Sequence, residues 1–117
     1  MVIIIKLHSF SVEAAVRYGL TEAVVLQCLS QWLEERTDDA DYGVQNGCAY
    51  LKLTVKQFQG ELPYFSPFKI KTALDNLQVY KLITIRDGEF NEALIRRRYM
   101  SYSLTSLGLA LTQKEDV

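Results

Sequence analysis

Arg96, Arg97 and Arg98 form the strongest local charge feature of this chain, and upstream of them lie Ser66, Lys69, Lys71, Thr72 and Asn76. Guanidinium and ammonium groups grip phosphate oxygens. A threonine hydroxyl or an asparagine amide can pair with base edges, and asparagine suits adenine. A serine at a helix N-terminus can donate to a phosphate. Successive side chains on a strand point to opposite faces, so Arg96 and Arg98 share one face and Arg97 takes the other. Arg86 would join one side across a hairpin. The competing use of these arginines is pairing with Asp87, Glu89 or Glu92, which contributes little when exposed.

These groups need elements that present them. Residues 54–62 read as a first helix and Pro63, Tyr64 and Phe65 as a tight turn. Ser66 suits the N-cap of a second helix and Pro67 its first helical position. Ile70, Ala73, Leu74 and Leu77 recur at helical spacing and predict its buried face. The opposite face carries Phe68, Lys69, Thr72, Asp75 and Asn76, with Lys71 on the flank. Residues 82–86 read as a strand, Asp87 and Gly88 open a loop, and residues 95–105 read as the returning strand.

Upstream, the β-branched run over residues 2–7 reads as a short strand. Ser11 can cap a helix reaching Tyr18, with Gly19 ending it. Thr21 can cap the longest helix, about residues 22–36, whose apolar stripe is Val25, Leu29, Trp32 and Leu33. Residues 37–47 form the main loop. Its acids Asp38, Asp39 and Asp41 lack the spacing of a calcium loop, so a solvated loop is expected. Asn46-Gly47 signals a turn, and residues 48–53 read as a strand paired with the hairpin. A short helix follows Ser106 through Leu109, Ala110 and Leu111, and residues 113–117 read as a polar, frayed end. Trp32, Tyr50, Phe65, Tyr99 and Tyr102 fit core positions better than base-stacking platforms. Tyr64 is the aromatic expected to be exposed.

The 117 residues suit one domain, and an apolar fraction of 49% is ordinary for a globular core. No segment approaches the ~18 apolar residues of a membrane span. The N-terminal apolar run is too short for a signal-peptide core, which predicts a cytoplasmic protein. Cys28 and Cys48 read as reduced structural thiols. With a single histidine, His8, no metal set is expected. No nucleophile lies beside a base and no glycine-rich loop precedes a helix, so neither enzymatic activity nor a cofactor is expected. The net charge is −1, but residues 1–51 hold three basic and seven acidic side chains, whereas residues 52–98 hold nine and five. The positive excess therefore falls where a phosphate-binding surface would need it.

Together these features predict a mainly helical α+β fold. Its element order is that of a winged helix-turn-helix with a small antiparallel sheet: the helix pair at about 54–80 and the wing at about 82–105. The chain resembles the N-terminal winged-helix domains of phage and prophage replication proteins of the replisome-organiser type. The resemblance spans roughly residues 20–105. It rests on Glu22-Ala23-Val24-Val25-Leu26-Gln27 followed by Trp32-Leu33, and on Leu62-Pro63-Tyr64-Phe65-Ser66 with Ile70, Leu74 and Leu77. Leu82-Ile83, Asn91, Arg98, Tyr99 and Tyr102 complete it. It implies binding of double-stranded DNA near a replication origin and contact with other replication proteins. It gives a recognition-helix role to Ser66, Lys69, Lys71, Thr72 and Asn76, and a wing role to Arg96, Arg97 and Arg98. The run Tyr102-Ser103-Leu104-Thr105-Ser106-Leu107-Gly108 also resembles the wing exit of many bacterial transcription regulators. A winged helix can instead serve as a protein-interaction or self-association module.

Overall fold

The computed structural model describes residues 7–87 and 100–113. Ser11, in extended conformation, accepts the Ala14 N–H and starts α1 (Val12–Tyr18). Gly19 has φ 112° and ψ 152°, a region essentially restricted to glycine. It ends α1 and at once begins α2 (Leu20–Glu35). The turn between the helices therefore takes one residue. Thr21, expected to cap α2, lies inside its first turn instead.

The loop expected over residues 37–47 is shorter than its composition suggests. Asp39 accepts the Asp41 N–H at 2.9 Å, and the chain then enters β1 (Tyr42–Gln45). β1 pairs antiparallel with β2 (Cys48–Leu53) around Asn46-Gly47. Both turn residues have positive φ, 53° and 78°, as a two-residue hairpin of primed type requires. Gly43 makes room for this pairing: a Cβ there would collide with the Tyr50 ring, which lies over it from the neighbouring strand.

Thr54 and Gln57 form a reciprocal capping box at the start of α3 (Val55–Glu61). Ser66 accepts the Lys69 N–H and Pro67 occupies the first turn of α4 (Pro67–Val79). α4 ends in a Schellman motif. The Lys81 N–H bonds the Gln78 carbonyl, and the Leu82 N–H reaches back to Leu77 at 3.0 Å. Lys81 holds the left-handed position at φ 61°, where glycine is usual. Leu77 and Leu82 are both buried beneath that turn.

β3 (Ile83–Asp87) and β4 (Met100–Leu104) follow, with α5 (Ser106–Thr112) capped by Thr105. The sheet is antiparallel with order β1-β2-β4-β3. The expected pairing of residues 48–53 with the hairpin is thus observed, through its second strand. Among the described residues the fold is α+β, with five helices and this four-stranded sheet. Of the strand expected over residues 2–7, only Leu7 is described, and it is not in a strand.

Leu51, Leu53, Ile83, Tyr102 and Leu104 project from one sheet face. They meet Val25, Leu29, Trp32 and Leu33 of α2, Phe58 of α3, and Ile70, Ala73, Leu74 and Leu77 of α4 in one core. Burial, reinforced by the Asp75 carboxylate, pushes the Tyr102 phenol up to about 12, so it stays protonated through the neutral range.

Two substitutions test this packing with opposite signs. Gly108 of α5 is buried, and a Cβ there would collide with the Leu82 carbonyl oxygen. Gly108→Ala should therefore destabilise by about 1–3 kcal/mol in chemical denaturation. Lys81→Gly should raise stability by a net ~0.5–1 kcal/mol, because relief of the left-handed strain exceeds the added chain entropy. A loss of stability in the glycine variant would contradict the described end of α4.

Candidate nucleic-acid interface

α4 packs through Ile70, Ala73, Leu74 and Leu77, so its opposite side faces solvent. At about 100° per residue, the crest of that side is Phe68, Thr72, Asp75 and Val79. Lys69 and Asn76 lie along one flank and Lys71 along the other. Ser66, Lys69, Lys71 and Thr72 are all exposed, as the sequence predicts for a presented helix. The Lys69 ammonium sits 5.9 Å from the Phe65 ring centroid. Lys71 reaches Asp75 at 3.4 Å, an exposed pair one helical turn apart that solvent keeps weak.

Asn76 is placed differently from Lys69 and Thr72. It is half-buried, and its Nδ2 donates to Glu22 Oε1 of α2 at 3.0 Å. That bond ties the recognition-helix candidate to the start of the longest helix. The amide expected to read a base is occupied within the protein. Sequence spacing could not show this, because the partners lie 54 residues apart.

The crest itself is chemically mixed. Phe68 is 80% exposed and Val79 75%, with the Asp75 carboxylate between them. On the Lys71 flank a crevice of about 190 Å³ separates α4 from the sheet. Val55, Leu74, Ile85, Met100 and Tyr102 line it. Arg86 of β3 is exposed. Arg96, Arg97 and Arg98 lie outside the described residues.

The turn ahead of α4 is fixed by contacts that the sequence does not suggest. The Tyr64 side chain is exposed, as expected, but its hydroxyl lies 2.8 Å from His8 Nδ1. His8 Nε2 lies 3.3 Å from Glu61 Oε1 at the end of α3. With a neutral imidazole protonated at Nε2, Tyr64 donates to Nδ1 and His8 donates to the carboxylate. Partial desolvation first, then the neighbouring Cys28 and Glu61 side chains, raise the Tyr64 phenol above its ordinary value, so it remains a donor at neutral pH. The segment before α1 is thereby pinned across the turn between α3 and α4. Among the described residues no cluster of histidine, cysteine and carboxylate side chains could hold a metal ion.

No protein family, curated protein or solved structure matches the chain. No helix among the described residues is long and apolar enough to cross a membrane.

The Asn76–Glu22 bond can be measured by a double-mutant cycle of Asn76→Ala and Glu22→Ala. A coupling of about 0.5–1.5 kcal/mol in unfolding free energy is expected. Additive single effects would mean that the amide is not held by the carboxylate.

Proposed function

We propose that this chain is a winged-helix module that binds double-stranded DNA, with α4 as the helix presented to the major groove. The observation that carries this reading is the free outer side of α4. A short, firmly capped helix follows a pinned turn and shows Ser66, Lys69, Lys71 and Thr72 to solvent. The order α2, β2, α3, α4, β3, β4, with β4 between β2 and β3, is compatible with a winged helix. In this reading Lys69 and Lys71 straddle the crest and contact phosphates on either wall of the groove. Thr72 faces the base edges. Arg96, Arg97 and Arg98, which lie outside the described residues, would supply further phosphate contacts. The resemblance to replisome-organiser domains favours a role in replication initiation over transcriptional regulation.

With so few cations per chain, binding should be weak and salt-sensitive, in the non-specific range of roughly 1–100 μM. Asp75 on the crest opposes phosphate and tempers Lys71. A second reading rests on Phe68 and Val79, whose exposure on the same crest suits a protein contact.

Fluorescence anisotropy of a random-sequence duplex at two salt concentrations tests the first reading. Lys69→Ala with Lys71→Ala should weaken binding and reduce the salt slope by about 1 per lysine removed. Asp75→Asn should strengthen it. Binding unchanged by all three substitutions would take α4 out of the interface. Loss of self-association in Phe68→Ser with Val79→Ser, without any duplex binding by the parent protein, would establish the second reading.

A further inference from the structure

The sheet has a second face, which the helical core leaves uncovered. Alternation along the strands directs Gln45, Cys48, Tyr50, Lys52, Thr84, Arg86, Ser101 and Ser103 to it. Small hydroxyl side chains, Ser101 and Ser103, form the floor on β4. Larger ones stand at the rims, and Leu109 of α5 closes one end. The result is an open trough of about 570 Å³, within the size range of ligand sites.

Its charge is one-sided. Among the described residues Lys52 and Arg86 line it, and no carboxylate does. Neither cation has an ion-pair partner among the described residues. The register sets their separation: Lys52 of β2 and Arg86 of β3 both lie opposite Ser101 of β4. Their backbones are therefore two strand spacings apart, roughly 10 Å, with a hydroxyl between them. The neighbouring positions are Tyr50 on β2, Ser103 on β4 and Thr84 on β3. The Tyr50 ring is laid down over Gly43, which keeps the floor open.

We propose that this trough binds single-stranded nucleic acid, independently of α4. Phosphate oxygens bridge Lys52 and Arg86 and take hydrogen bonds from Ser101. A base rests beside Tyr50 and uses the hydroxyls of Ser103 and Thr84. Positive side chains beside an aromatic ring form the pattern that tracks a single strand. Walls only two strand spacings apart admit one strand and exclude a duplex. The same cations would attract an acidic peptide, but the ring and the row of hydroxyls have more use for a base.

Cys48 supplies a reporter inside the trough, because it is exposed while Cys28 is buried. The experiment titrates the full chain with a short fluorescein-labelled oligothymidylate, following anisotropy and the alkylation rate of Cys48. The oligonucleotide should bind and slow Cys48 alkylation, whereas a random-sequence duplex should not slow it. Tyr50→Leu should weaken oligonucleotide binding about tenfold. Lys52→Ala with Arg86→Ala should lower the salt slope by about 0.7 per cation removed. Lys69→Ala with Lys71→Ala should leave binding of the single strand intact, which separates this site from the duplex reading. Binding without protection of Cys48, equal protection by the duplex or by polyglutamate, or loss in the Lys69/Lys71 variant would each overturn the proposal.

Discussion

The ring of Phe58 lies between Trp32 of α2 and Tyr102 of β4, with centroids 5.1 Å and 5.4 Å away. It is wholly buried. This three-ring contact joins the long helix, the first helix of the pair and the central part of the sheet. Offset and edge-on ring pairs add about 0.5–1.5 kcal/mol each beyond the area they bury. They also restrict orientation, because a ring cannot slide along its neighbours without losing both contacts. α3 is only seven residues long and would not hold its shape alone. Fixed by Phe58 and its capping box, it sets where the turn at residues 63–65 begins. That in turn sets where α4 leaves the core.

α4 inherits its position from this anchor and adds its own restraints. Its inner side chains fill the core, Asn76 ties it to Glu22, and the Schellman turn at Lys81 directs the chain into β3. The His8–Tyr64–Glu61 contacts hold the opposite end. A helix restrained at both ends keeps its exposed side chains in place, which would lower the ordering cost of the proposed binding. The outer sheet face is held by different means. There a glycine gives room to an aromatic ring and small serines leave space between two cations.

The helix pair was legible in the sequence because its signals are local. Ser66-Pro67, Thr54 with Gln57, and the spacing of Ile70, Leu74 and Leu77 all act within a turn or two. Asn46-Gly47 was legible for the same reason. The first strand was not, since Tyr42-Gly43-Val44-Gln45 is short and contains a glycine whose purpose is visible only across the hairpin. Thr21 was a plausible cap, but Gly19 could turn the chain in a single residue. Asn76 looked free because its partner lies on another helix. The trough depends on the joint register of β2, β3 and β4, and no single segment encodes it. His8 had no local partner in the sequence, and its contacts arise only when the segment before α1 crosses the turn.

The claim that α4 faces DNA is tested most directly by mapping backbone amide chemical shifts while a random-sequence duplex is titrated at low salt. The largest shifts are expected at Ser66, Lys69, Lys71 and Thr72, with the buried face of α4 little changed. Shifts confined to other elements, with these four amides unmoved at saturating duplex, would contradict it.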